Sequence, residues 1–327
     1  MNALHTTLSN LSSPAVLFFI LGILAAAVKS DLRIPDSLSS GITMYILLSI
    51  GLRGGIAVSE KGIGNLFIYI IAAVAIGVVV TCVAYFAMTK TGLDSSNAGS
   101  IAGHYGACSS VTITASLVFL QQTGAHFEEF VPALYPFMDT AALLTAITLG
   151  HIGLKKETVK EGDNEHKIST ILKTSLTGRS TLLIMGSFMI GLLSGAETTE
   201  ALLPFYNNLF SGIFTLFMLD IGILTGSRLH EINQIKPVTF FLALVLPPLH
   251  AGIALTVAMM VGLGPGGSTV LAALASGASV ITAPAVMKDT FPKANPSLAL
   301  AIALGIIFPF NILLGIPLYY QWAMLIG

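Results

Sequence analysis

Residues Gly103 to Ser116 read GHYGACSSVTITAS. The chain on either side is strongly apolar, yet this stretch holds a histidine, a tyrosine, three serines, two threonines and the helix-weakening Gly103 and Gly106. A second passage, Gly277 to Pro284, reads GASVITAP and repeats the pattern with Gly277, Ser279, Thr282 and a proline that lacks an amide hydrogen. Free backbone groups at membrane depth are tolerated only where they are buried in protein or line a cavity. Two helices broken at these glycines could turn half-helix N-termini toward one another, each with free amides and about half a positive charge. Such a pair suits a small anion, with hydroxyls completing its shell. The competing reading is close helix packing through small residues, with the hydroxyls bonded to their own helices.

Composition supplies the setting. Only 9% of the 327 residues are charged, against about a quarter in soluble domains. So few charges cannot cover a water-facing surface, but they suffice where the surface faces lipid. A net charge of -1 gives no reason to expect nucleic acid. Cys82 and Cys108 lie in apolar segments and read as buried thiols, not as a disulfide or a metal site. MNALHTTLSNLSSPAV has no basic region before the first apolar run and does not resemble a cleaved signal peptide.

A span needs about 20 largely apolar residues. Ten segments qualify: 13–29, 38–56, 63–89, 97–120, 130–151, 178–195, 204–227, 237–262, 267–287 and 295–324. If they alternate in direction, 13 of the 15 basic residues fall on one side, leaving only Arg53 and Lys61 on the other. The positive-inside rule makes the rich side cytoplasmic and places both termini outside. Gly153 to Leu176 is the one long polar stretch. It reads as a solvated linker, or more sharply as a docking site for a cytosolic regulator.

The halves on either side of that linker echo each other. Ile50-Gly51-Leu52-Arg53-Gly54-Gly55 resembles Ile221-Gly222-Ile223-Leu224-Thr225-Gly226, Ser110 to Ala115 resembles Ser279 to Pro284, and Tyr135-Pro136-Phe137 resembles Phe308-Pro309-Phe310. The offsets are nearly constant, as an internal repeat requires. Five spans per half is odd, so the second half enters the membrane inverted. The expected fold is therefore an all-α polytopic membrane protein of ten transmembrane helices. It consists of two inverted five-helix repeats, residues 1–151 and 178–327, joined by a cytoplasmic linker at 152–177, with broken helices in spans 4 and 9.

Candidate ligands follow. Ser109, Ser110 and Thr112 in span 4, with Ser279 and Thr282 in span 9, supply hydroxyls for the anion. Asp139 follows Tyr135-Pro136-Phe137-Met138, and Asn311 follows another Pro-Phe, one position out of register. Carboxylate, amide and freed carbonyl oxygens suit Na⁺. Asp139 could instead pair with Arg53 or cap a neighbouring helix. Asp220 reads as structural or functional with equal force, and His104 reads first as an internally hydrogen-bonded side chain, with proton relay as the sharper alternative. Gly264-Pro265-Gly266-Gly267 reads as a turn. No catalytic constellation or metal-ligand spacing stands out, so neither an enzyme nor a resident cofactor is expected.

At IGLRGGIAV (Ile50–Val58), IAGHYGACSSVT (Ile101–Thr112), ALYPFMD (Ala133–Asp139) and ANPSLALAIALGIIFPFNILLGIPLY (Ala294–Tyr319) the chain resembles the sodium-dependent bicarbonate transporter family. The resemblance runs from span 1 to span 10. It implies Na⁺-driven bicarbonate uptake by a homotrimer in the plasma membrane, with a broken-helix core moving against a more static part. It also implies possible inhibition by a small cytosolic signalling protein of the nitrogen-regulator type. By resemblance the anion residues are Ser109, Ser110 and Thr112 with Ala278, Ser279 and Thr282, and the Na⁺ role falls to Asp139 and Asn311. The sequence departs from the family pattern at Ala107, Gly277, Val280 and Thr282, which bears on which anion is carried.

The leading expectation is thus secondary active transport of bicarbonate or a similar small anion coupled to Na⁺. The alternatives are another small solute, coupling to H⁺, or an anion channel of the same fold. A membrane-embedded enzyme and a sensor acting through the linker are more distant readings.

Overall fold

The computed structural model describes residues 8–61, 66–157, 177, 179–280 and 282–326. Among these residues there is no strand. The elements are α1 (Pro14–Ala27), α2 (Asp36–Lys61), α3 (Leu66–Thr89), α4 (Ser95–Gly106), α5 (Ser110–Thr123), α6 (Tyr135–Glu157), α7 (Arg179–Thr199), α8 (Leu203–Asn208), α9 (Phe210–Arg228), α10 (Pro237–Met260), α11 (Pro265–Ser276), α12 (Thr282–Thr290) and α13 (Pro296–Ile326). Seven helical runs among the described residues are long and apolar enough to cross a membrane, and α1 is a shorter apolar helix. Large apolar side chains such as Phe67, Ile71, Phe86, Leu193, Phe241 and Met260 lie exposed on these helices. Such a surface suits lipid and not water. The chain is a multi-pass membrane protein.

The two glycine-rich passages are where regular helix stops. α4 ends at Gly106, Ala107 is extended, and α5 begins at Ser110. α11 ends at Ser276, Gly277 is extended, and α12 begins at Thr282. Both breaks therefore fall where glycines and small polar residues interrupt the apolar run. The GPGG stretch differs from its sequence reading as a turn: Gly264 is the N-cap of α11 and Pro265 opens the helix, where a missing amide costs nothing. α6 runs past residue 151 to Glu157. Most of the linker expected at 152–177, including the regulator-docking stretch, lies outside the described residues.

The pairing of helices positions the breaks. α1 packs along α9, and α2 packs along α7. Each pair crosses on glycines. A Cβ on Gly222 would stand 3.0 Å from the Gly22 Cα, and one on Gly55 would stand 2.7 Å from the Leu192 amide nitrogen. The repeated glycines of spans 2 and 7 are thus contact surfaces, where backbones approach too closely for a side chain. The other helices form a second group. α3 packs on α4 and α6, α10 packs on α11, and α11 packs on α13. The half-helices also cross over: α11 touches α5, and α12 touches α4. Among the described residues two large buried apolar clusters result, one containing Cys108 and Val111, the other Ala107 and Ala278, beside a small one of Val58, Ala133 and Phe188. The breaks lie at the seam between the two large ones.

A candidate binding site where two broken helices meet

Ser109 is the N-cap of α5, and its hydroxyl accepts from the Thr112 amide at 3.2 Å. Ser279 does the same for α12, accepting from the amides of Thr282 and Ala283, each at 3.2 Å. Short hydroxyl side chains are favoured there because they satisfy amides that the first turn leaves open. Ser109 and Ser279 thus each accept from the amide three residues on. The first intrahelical bond of α5 reaches back from Ile113 to the Ser109 carbonyl. The amides of Ser110 and Val111 precede it and point out of the helix's positive end.

The two ends touch. The Ser279 amide donates to the His104 carbonyl, at the end of α4, at 2.9 Å. A Cβ on Gly277 would lie 2.9 Å from Ser109 Cβ and 3.3 Å from Thr112 Oγ1. Between the breaks is a small cavity lined by Cys108, Ser109, Ser110, Tyr135, Ser279 and Val280, with room for about one water. The structure thus brings Ser109, Ser110 and Ser279 to one cavity. Thr112, Ala278 and Thr282 are buried beside it without lining it. Thr112 Oγ1 has no hydrogen-bond partner among the described residues.

Asp139 is fully buried on α6. Its Oδ1 accepts from the Cys108 amide at 3.0 Å, immediately before the α5 cap, while Oδ2 has no partner among the described residues. It does not pair with Arg53, whose guanidinium lies over the Phe210 ring at 4.5 Å and whose Nε donates to the Ser49 carbonyl at 3.4 Å. Asn311 performs a related task in the other half. Its Nδ2 donates to the Ser276 carbonyl, at the end of α11, at 2.8 Å, and its Oδ1 accepts from the Tyr319 hydroxyl at 2.7 Å. Asp139 and Asn311 thus each hold the break of their own half, and no hydrogen bond joins them. Asp220, away from this seam, accepts from the Ser39 hydroxyl.

His104 is buried, with Nδ1 2.8 Å from the Ser100 carbonyl, so that nitrogen carries the hydrogen. Sequence reasoning missed the backbone contributions of His104 and Cys108, since main-chain groups have no signature in residue type. It also missed Tyr135 on the cavity wall and Tyr319 behind Asn311. For Tyr319 the available signal was a tyrosine eight residues after Asn311 in an apolar helix. Among the described residues no group of three or more histidine, cysteine or acidic side chains is placed to hold a metal ion, and both cysteines are free thiols.

A search of curated protein sequences finds no match. A family model described as the Na⁺-dependent bicarbonate transporter superfamily matches residues 14–324, which takes in both broken segments, Asp139, Asn311 and Tyr319. The chain belongs to the Na⁺-dependent bicarbonate transporter superfamily.

Proposed function

We propose that this chain is a secondary active transporter that takes up bicarbonate or a similar small anion together with Na⁺. Membership of a transporter superfamily makes it a carrier and not an enzyme. The observation that carries the reading is the joined break: the segment that caps α12 bonds through the Ser279 amide to the His104 carbonyl near the end of α4, and the capped N-termini of α5 and α12 both border the cavity. Two positive helix ends at one small cavity favour an anion by direct electrostatics. The anion is held by the hydroxyls of Ser109, Ser110 and Ser279 and the first amides of each helix, with Thr112, Ala278 and Thr282 shaping the wall. A cavity sized for one water must widen to admit an oxyanion of four non-hydrogen atoms, so binding and conformational change are coupled.

Na⁺ binds at Asp139. A buried carboxylate oxygen without a partner is costly unless it meets a cation or a proton. Asp139 is one hydrogen bond from the break, so a cation there and an anion at the cavity stabilise each other. This is the physical basis of symport in our reading.

The same reading takes the chain to cross the membrane ten times as two inverted repeats, residues 1–151 and 178–327. The helix pairs support it: exchanging the halves turns the α1–α9 pair into α7–α2, and the α3–α4 pair into α10–α11. We place the protein in the plasma membrane with both termini outside, on the charge asymmetry of the loops. A homotrimer and a cytosolic regulator of the nitrogen-regulator type belong to the proposal through the family resemblance.

Uptake of radiolabelled bicarbonate into proteoliposomes, with Na⁺ and H⁺ gradients imposed separately, tests the function. Accumulation driven by Na⁺ alone supports it. Accumulation driven only by H⁺ overturns the coupling, and equilibration without accumulation points to a channel.

A further inference from the structure

Asn311 and Tyr319 both lie on α13, eight residues apart, and both are fully buried. A regular α-helix would leave residues at that spacing about 80° out of line around the axis. Between them, Asn311 to Gly315 forms a π turn, closed by i to i+5 bonds, and the wider turn takes up the offset. Helical side chains lean toward the N-terminus, so the long tyrosine reaches back along α13 to Asn311. Gly315 leaves the space. A Cβ there would stand 2.7 Å from Asn311 Oδ1 and 2.9 Å from the Tyr319 hydroxyl.

The chemistry of the three groups permits one orientation. The Ser276 carbonyl only accepts, so it takes the Asn311 Nδ2 hydrogen at 2.8 Å. The carboxamide oxygen then faces the Tyr319 hydroxyl, which donates to it at 2.7 Å. Ser276 is the last residue of α11, and its carbonyl is among those the helix leaves without an internal donor. From that carbonyl the extended backbone of Gly277 leads directly to Ser279, the cap of α12 and the residue bonded to His104.

We propose that Tyr319 is a positioning residue for transport. Acting through Asn311 on the Ser276 carbonyl, it sets where the second break presents Ser279 to the anion cavity. This rests on the transport reading above. In the first half the same place is held by a charged group, Asp139 on the Cys108 amide; in the second it is held by a neutral tyrosine–amide relay. The relay gives Asn311 a positioning task distinct from ligating Na⁺.

The test combines Tyr319→Phe, Asn311→Ala and the double variant in the full-length protein, with two readouts. In proteoliposomes at saturating Na⁺, each single variant raises the KM for bicarbonate about 10-fold while Vmax stays within about twofold, and the double variant is no worse than Asn311→Ala, as expected of residues acting in series. In substrate-free protein, hydrogen exchange of the Ser279, Thr282 and Ala283 amides quickens in each single variant and no further in the double. A Tyr319→Phe protein with unchanged KM and unchanged exchange overturns the proposal, as do additive effects in the double variant. Tyr319→Phe removes one oxygen and keeps the ring packing, so it remains informative if Asn311→Ala fails to fold. A wild-type protein that takes up no bicarbonate sinks the transport reading alone, because the exchange readout needs no substrate.

Discussion

Ser279 gives its amide hydrogen to the carbonyl of His104 at 2.9 Å, and that bond joins the break of one half of the chain to the break of the other. It ties the C-terminal end of α4 to the segment that caps α12. Any anion held between the half-helices acts on both halves at once.

Removing the cap hydroxyls tests the two ends separately. Ser279→Ala strips the acceptor from two amides and Ser109→Ala from one. Loss of an N-cap costs about 1 kcal/mol. Both variants are expected to weaken anion uptake, Ser279→Ala more than Ser109→Ala, as a rise in KM for bicarbonate in proteoliposomes. Equal KM values for both variants and wild type would count against the hydroxyls as ligands.

Gly277 is a steric gauge of the seam. In Gly277→Val the new side chain meets Ser109 Cβ and Thr112 Oγ1 and pushes the two segments apart. Overpacking of this kind costs about 1–3 kcal/mol. Uptake should fall by at least about tenfold while the protein still elutes as a folded species by size exclusion. Normal uptake by this variant would show that the segments do not need to meet.

Asp139→Asn keeps an oxygen for the Cys108 amide but removes the charge. The Na⁺ concentration giving half-maximal uptake should rise about tenfold or more, the scale of one buried charge–ion contact. Asp139→Ala, which also leaves the Cys108 amide without its acceptor, should be more severe. A Na⁺ titration of uptake checks both, and an unshifted curve for Asp139→Asn removes Na⁺ from this residue.

Asn10 reaches across nearly the whole chain. Its Nδ2 donates to the Ile312 carbonyl at 2.9 Å. In the register of the π turn that carbonyl would face residue 317, which is proline and has no hydrogen to give. Asn10→Ala leaves the carbonyl buried without a donor, at a cost of about 1–3 kcal/mol. Thermal unfolding in detergent should show a lowered midpoint, whereas Asn10→Ser, able to donate, should recover part of it.

Much of this was legible in the linear chain because it depends on local chemistry. Apolar runs of span length, 13 of 15 basic residues in alternate loops, and glycines with small hydroxyl residues inside two of the runs are properties of neighbours in sequence. They were enough to foresee an all-helical membrane protein with two interrupted helices. Which hydroxyl caps was less accessible, because capping depends on where the first helical amide falls: Ser109, and not its neighbour Ser110, accepts from the Thr112 amide.

What only the tertiary structure decided is which distant groups meet. The repeated glycines of spans 2 and 7 gave no hint in sequence that they are crossing points, because a missing Cβ matters only once a second backbone lies against it. Asp139 had Arg53 and a helix cap as rival partners, and packing settled on the Cys108 amide. Backbone donors and acceptors such as the Ser279 amide, His104 carbonyl and Ser276 carbonyl are carried by every residue alike. The amino-acid order therefore determined where the helices stop, since glycine, proline and hydroxyl side chains act on their own backbone. The fold determined what the exposed ends face, since that depends on helices more than a hundred residues apart being packed together.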